Sequence, residues 1–142
     1  HELITMLDDR ERLSTAVEEL LRVHAVANIY RRVKKDMVYR GITMKQNDRV
    51  VLPCSVANRN ESVFEHADVI DLHREINNHL SFGAGPHRCV GSHLAKTEVT
   101  IALQEWLRRI PDFSVAAGAL IQGHLGPTMG FGQLPLVWAP KA

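Results

Sequence analysis

The sequence has little cysteine, only Cys54 and Cys89 in 142 residues, and the two stand in unlike contexts. That excludes a disulfide framework and fits a reducing compartment, so a cytoplasmic location is expected. No apolar run approaches the length of a membrane span, and no secretory leader pattern is present. Charge of one sign is also lacking. Lys and Arg number 17 against 16 Asp and Glu, a net charge of +1. Binding to nucleic acid or to a membrane surface through bulk charge is therefore excluded. Internal repeats and low-complexity linkers are missing as well. The first residue is His1 rather than Met, and 1–7 read as the end of a helix already under way. The chain is thus expected to be the C-terminal piece of a longer protein. At this length it can bury one modest core.

What is present is a glycine-rich loop, Ser81 to Gly91, followed at once by an amphipathic helical pattern. Gly83, Gly85 and Gly91 permit backbone angles that other residues avoid, and Pro86 stiffens the turn between them. Cys89 then sits at the mouth of a helix, where unpaired N–H groups and partial positive charge favour thiolate, the form that ligates metal.

The spacing Phe82, Gly85, Cys89, Gly91, with His87 two positions before the cysteine, resembles the haem-binding loop of the cytochrome P-450 family. The resemblance makes Cys89 the axial thiolate, and metal ligand, of a b-type haem. It places Phe82 against the haem face, Gly83 and Gly91 in the cofactor loop, and His87 on a haem propionate. Two other readings compete. One is a structural cysteine in a tight turn. The other is a zinc site of Cys89, His87 and His93, which lacks a fourth ligand and does not require the glycines. Cys54, after Pro53, reads as a small buried apolar group.

Upstream, Leu3, Ile4 and Leu7 fit a helix tail, and Asp8-Asp9-Arg10 a turn. Ser14 or Thr15 is expected to cap the next helix, Thr15 with Glu18 in capping-box spacing. Glu19 and Arg22, three apart, share one helix face. Alone they read as a solvated ion pair; with the cysteine loop they match the family's second signature, a buried bracing pair. The further partner usual in the family aligns with Val69, a departure for which Arg59 or Arg74 would compensate. The segment 25–33 is expected to pass the haem edge. Arg31, ten residues before Gly41, is preferred to Arg32 as a propionate ligand, since its planar fork suits a carboxylate. Ala27 and Ile29 would line the substrate pocket.

Residues 36–44 read as strand, glycine turn and strand, and Arg49 to Pro53 as a buried strand. An irregular, packed meander from Val56 to Glu75 leads to the loop. A long helix is expected from Gly91 to about Arg109, with Ala95, Val99, Ala102, Leu103, Trp106, Leu107 and Ile110 as its apolar face. Strand-like pieces from Phe113 to Trp138 close the chain and look most like the camphor- and terpenoid-hydroxylating bacterial branch. There Pro127 and Thr128 would touch substrate.

The fold class implied is mainly α with small antiparallel β-sheets. Residues 1–142 would form the C-terminal haem-binding portion of one domain, the distal helix lying upstream. The implied function is insertion of one oxygen atom of O2 into a small apolar substrate, possibly a terpenoid such as camphor. Electrons would come from NAD(P)H through a ferredoxin reductase and a ferredoxin, docked near Arg88 and Lys96. The isolated piece is expected to be inactive. The alternative is a haem-thiolate sensor or a peroxide-using enzyme.

Overall fold

Two adjacent aspartates separate the first helix from the second. In the computed structural model, which describes residues 1–139, α1 (Glu2–Thr5) ends at Met6. Asp9 then caps α2 (Arg10–Val23), its carboxylate accepting from the Glu11 and Arg12 N–H groups, both at 3.1 Å. Such a cap satisfies donors that a helix start leaves unpaired. The expected start at Ser14 or Thr15 is therefore corrected. Both lie inside the helix, where the Thr15 hydroxyl donates back to the Glu11 carbonyl at 3.2 Å.

The inner face of α2 presents Leu13 and Val17 to Leu7 and to Leu107 of the long helix α4 (Ser92–Arg109). Val99, Leu103 and Trp106 pack around them, as the helical spacing predicts. Ala102, placed on that face from the sequence, is exposed. It lies at the edge of the stripe, beyond the reach of α2.

Between α2 and α4 the chain makes small antiparallel pairs. β1 (Asn28–Arg32) pairs with β4 (Arg49–Pro53), Asn28 opposite Pro53 and Arg32 opposite Arg49. β2 (Met37–Tyr39) and β3 (Ile42–Met44) form a hairpin. Its turn residues Arg40 and Gly41 both have positive φ, 49° and 80°. That is the geometry whose twist matches paired strands. β4 is not the buried strand its Val-Val-Leu run suggests; Leu52 is 49% exposed because it faces an open cavity. The one-turn helix α3 (Cys54–Ala57) leads into the meander, which ends in a 3₁₀ turn at Gly85–His87.

After α4, β5 (Phe113–Val115) pairs with β8 (Leu136–Trp138), and β6 (Gly123–His124) with β7 (Gly130–Phe131). Two-stranded pairs have little stability alone. Trp106 ties the first of them to α4 through edge-on contacts with Phe113 and Trp138, at 5.7 and 6.0 Å between ring centres.

Candidate functional site

The loop that carries Cys89 is shaped by two glycines. Gly83 and Gly85 sit at φ of +71° and +68°, where a side chain is strained. The Cys89 N–H donates to the Phe82 carbonyl at 2.9 Å and closes the loop. Gly91 corrects the expectation, since its φ of −82° is open to any residue. A Cβ at Gly91 would stand 3.8 Å from Cys89 Sγ, an ordinary van der Waals contact. Cys89 is exposed, next to the Gly91 N-cap of α4.

This sulfur lies on the wall of a cavity of about 860 Å³. β1 and β4 form one side of it, through Ile29 and Leu52, with Ala27 just before β1. Phe82, Gly83 and His87 bound it from the loop. Arg31 lines both this cavity and an adjoining cleft of about 580 Å³, its Nη1 donating to the Tyr30 carbonyl at 2.9 Å, whereas Arg32 lines only the cleft. Pro127 lines that second cleft, apart from Cys89. Thr128 is bridged to Ala27, and the Pro127 carbonyl accepts from the Asn28 N–H at 2.9 Å. The 127–128 turn is thus tied to β1 through its backbone. Cys54 is buried on the main cavity, and burial pushes its thiol up, so it stays protonated.

Behind the site, Glu19 and Arg22 are both wholly buried. Arg22 Nη1 donates to the Asn58 and Ala67 carbonyls, each at 2.7 Å, and its guanidinium lies 5.1 Å from the Phe64 ring centre. Glu19 also accepts from the Asp71 N–H at 2.9 Å, Arg74 Nε at 3.1 Å and Asn77 Nδ2 at 2.9 Å. Burial pushes the Glu19 carboxyl up. The Arg22 hydrogen bond, the Asp71 N–H and the Arg22 and Arg74 charges outweigh that and hold it at about 2. Arg22 is pushed up, chiefly by its hydrogen bond to Glu19. Of the two candidates for the further cation, the structure selects Arg74. Arg59 turns instead to Asp68, at 2.9 Å, and to the Val23 carbonyl. Val69 contributes its carbonyl, accepting from Arg22 Nη2 at 3.1 Å.

Sequence reasoning missed Asn58, which is wholly buried. Its Oδ1 accepts from the Leu80 N–H at 2.7 Å, and its Nδ2 donates to the Arg22 carbonyl at 3.1 Å and to Ser81 Oγ at 2.9 Å. It joins the bracing pair to the base of the cysteine loop. Within a polar, irregular stretch nothing local marks which asparagine is buried. Lys96, expected with Arg88 near a docked ferredoxin, pairs with Glu18, and Arg88 is exposed. Among the described residues no three His, Cys, Asp or Glu side chains gather as a metal ion requires, so the Cys89–His87–His93 zinc reading finds no geometry.

The donor set fits a thiolate-ligated haem. Cys89, Arg31 and His87 line one largely apolar cavity, and thiolate, guanidinium and imidazole are the groups that can ligate iron and donate to the carboxylates of such a macrocycle.

Comparison with known proteins agrees. A family model described as cytochrome P-450 matches residues 4–116. The protein named "probable cytochrome P-450 127A1" of Sinorhizobium fredii is 42% identical over 128 residues, covering 90% of this chain and 31% of its own length. The "biotin biosynthesis cytochrome P-450" of Bacillus subtilis is 39% identical over 116 residues, covering 81% of this chain and 29% of its own. The solved structure of the bacillaene polyketide synthase cytochrome P-450 of Bacillus subtilis superposes with a TM-score of 0.85 at 34% identity, over 96% of this chain and 36% of that one. The chain spans between 29% and 37% of the length of the curated relatives compared. No helix among the described residues is long and apolar enough to cross a membrane.

Proposed function

The chain belongs to the cytochrome P-450 family, and on that premise we propose that it forms the haem-binding C-terminal part of a haem-thiolate monooxygenase. One observation carries the reading: the Cys89 sulfur, His87 and Arg31 face a single cavity. When bound there, haem would supply activation of O2 with two electrons, inserting one oxygen atom into the substrate while the other leaves as water.

The residues divide the remaining work. Cys89 would hold the iron as thiolate. His87 and Arg31 would donate to the haem carboxylates and fix its orientation in the cavity. Phe82 would shield the sulfur from water. Ala27 and Ile29 would face the substrate, and their small and aliphatic side chains suit an apolar molecule of terpenoid class. The relatives described above are named for biotin biosynthesis and for a polyketide synthase. The family therefore supports the chemistry, and the substrate rests on this wall. We further infer that electrons arrive from NAD(P)H through a reductase and an acidic ferredoxin near Arg88 and Lys96, in the cytoplasm.

The distal helix and the opposite wall of the cavity would come from chain outside these residues. Val90, Leu94 and Ile101 stand 99%, 63% and 54% exposed along α4 and the turn before it, an apolar row that further chain could cover. The 142-residue piece alone is expected to take up haem weakly and not to hydroxylate.

The test is the absorption spectrum of the reduced, CO-bound full-length protein beside its Cys89→Ser variant. A strongly red-shifted Soret band, lost in the variant, is the expected result. A band at the position typical of histidine ligation, or no haem uptake by the folded protein, overturns it.

A further inference from the structure

A second charged cluster lies behind the loop; of its members, Glu18 and His79 are used by none of the roles above, and Lys96 only as a cation of the docking surface. The His79 side chain is only 4% exposed. Its Nε2 lies 3.0 Å from Glu18 Oε2, and its Nδ1 accepts from the Ser81 N–H at 3.2 Å. These two contacts require the Nε2–H tautomer, with the proton directed at Glu18. Burial pushes the His79 imidazole down, Glu18 pulls it back up, and Lys96 and Arg88 add to the downward push, so the ring is neutral at neutral pH.

The ring of His79 in turn packs on Phe82, 6.0 Å between centres at 47°. From another direction the Lys96 ammonium lies 5.9 Å from the Phe82 ring centre, while also pairing with Glu18. The carbonyl of Phe82 receives the Cys89 N–H at 2.9 Å. One carboxylate thus holds both an imidazole and an ammonium, and both lie about 6 Å from the ring centre of the residue whose carbonyl receives the Cys89 N–H. Glu18 and Lys96 are each 26% exposed at the side chain, so water screens them only in part.

We propose that Glu18, His79 and Lys96 form a charge cluster that sets the electrostatic potential at the Cys89 sulfur, with His79 a positioning residue that fixes Phe82 beside it. This rests on the haem-thiolate reading. Glu18 cancels the charge of Lys96 next to the loop. Removing either partner leaves the other uncompensated, and the two removals act in opposite directions. A merely structural pair would not behave so, because loss of either partner would loosen the loop in the same sense.

The experiment measures the haem reduction potential of the full-length protein in Glu18→Gln, Lys96→Met and the double variant. Glu18→Gln, which leaves the ammonium unbalanced, is expected to raise the potential. Lys96→Met is expected to lower it, and the double variant to return near the parent. Shifts of the same sign, or none, overturn the proposal while a red-shifted CO band in the parent leaves the haem reading intact. His79→Ala is expected to reduce the share of protein showing that red-shifted band, and His79→Gln, which retains a donor toward Glu18, to restore part of it. Equal behaviour of His79→Ala and the parent overturns the positioning role. Should the folded parent take up no haem, the haem reading falls, and the proposal that rests on it falls with it.

Discussion

Arg22 donates to both carboxylate oxygens of Glu19, Nε to Oε2 at 2.8 Å and Nη2 to Oε1 at 2.7 Å, with neither side chain exposed to water. The guanidinium fork and the carboxylate lie in register on one helix, three residues apart. The remaining donors of Arg22 go to carbonyls at 58, 67 and 69, so one side chain pins α2 to the meander.

Removing that side chain strands a buried carboxylate. In the full-length protein, Arg22→Met is expected to cost about 3–5 kcal/mol of stability. Arg74→Met leaves Glu19 with Arg22, Asn77 and the Asp71 N–H, and should cost distinctly less. Urea unfolding midpoints check both; equal losses would contradict the ranking.

Acid should weaken the same lock. The Glu19 carboxyl is lowered from 4.5 to about 2, so the folded state binds its proton less readily than the unfolded chain. Its stabilisation is complete above about pH 4.5 and is lost as pH falls toward 2, an effect on the order of 3 kcal/mol. Glu19→Gln is expected to flatten that part of the stability–pH curve, whatever it does to stability at neutral pH. Denaturant titrations at several acidic pH values provide the measurement.

Gly85 has φ of +68° and nothing within 4 Å of where a Cβ would stand. Replacement by Ala therefore meets backbone strain alone, about 1–2 kcal/mol, and Asn, which tolerates that conformation, should cost less than Ala. At Gly91, with ordinary φ and only a van der Waals contact of 3.8 Å to the Cys89 sulfur awaiting a Cβ, Ala should leave both global stability and the CO-bound spectrum near the parent. The readouts are the unfolding midpoint for the first pair and the CO-bound spectrum for the second.

The two adjacent arginines on β1 are separable. Arg31 lines the Cys89 cavity and Arg32 does not. Under the proposed function, Arg31→Ala should speed haem transfer to an apoprotein acceptor several-fold, and Arg32→Ala should leave it near the parent rate. Equal rates would remove Arg31 from the haem site.

Much was legible because it depends on neighbours in sequence. The fixed spacing from Phe82 to Gly91 marked the loop, and the three-residue step from Glu19 to Arg22 marked the pair. The apolar period of α4 predicted its boundary at Arg109 and its contacts through Leu103, Trp106 and Leu107. Other features depend on residues far apart and left no local sign. Asn58 is an ordinary polar residue until Arg22, Leu80 and Ser81 converge on it. The cap at Asp9 was hidden by two other plausible caps downstream, and the exposure of β4 by its apolar composition.

The sequence by itself determined the glycine turns of the cysteine loop, the shared helix face of Glu19 and Arg22 and the helices that carry them, since each is a pattern of spacing that local backbone geometry turns directly into shape; that the pair is buried came from the family resemblance and not from its spacing. Tertiary structure decided that Arg74 rather than Arg59 meets Glu19, that Arg31 rather than Arg32 faces the cavity, and that Lys96 is held by Glu18 and not left to solvent. Arg74 and Arg59 have equal local merit as partners of Glu19, and only the packing of distant segments brings one of them within hydrogen-bonding distance; Lys96 meets Glu18, and Arg31 a cavity wall, only once segments far apart in sequence come together.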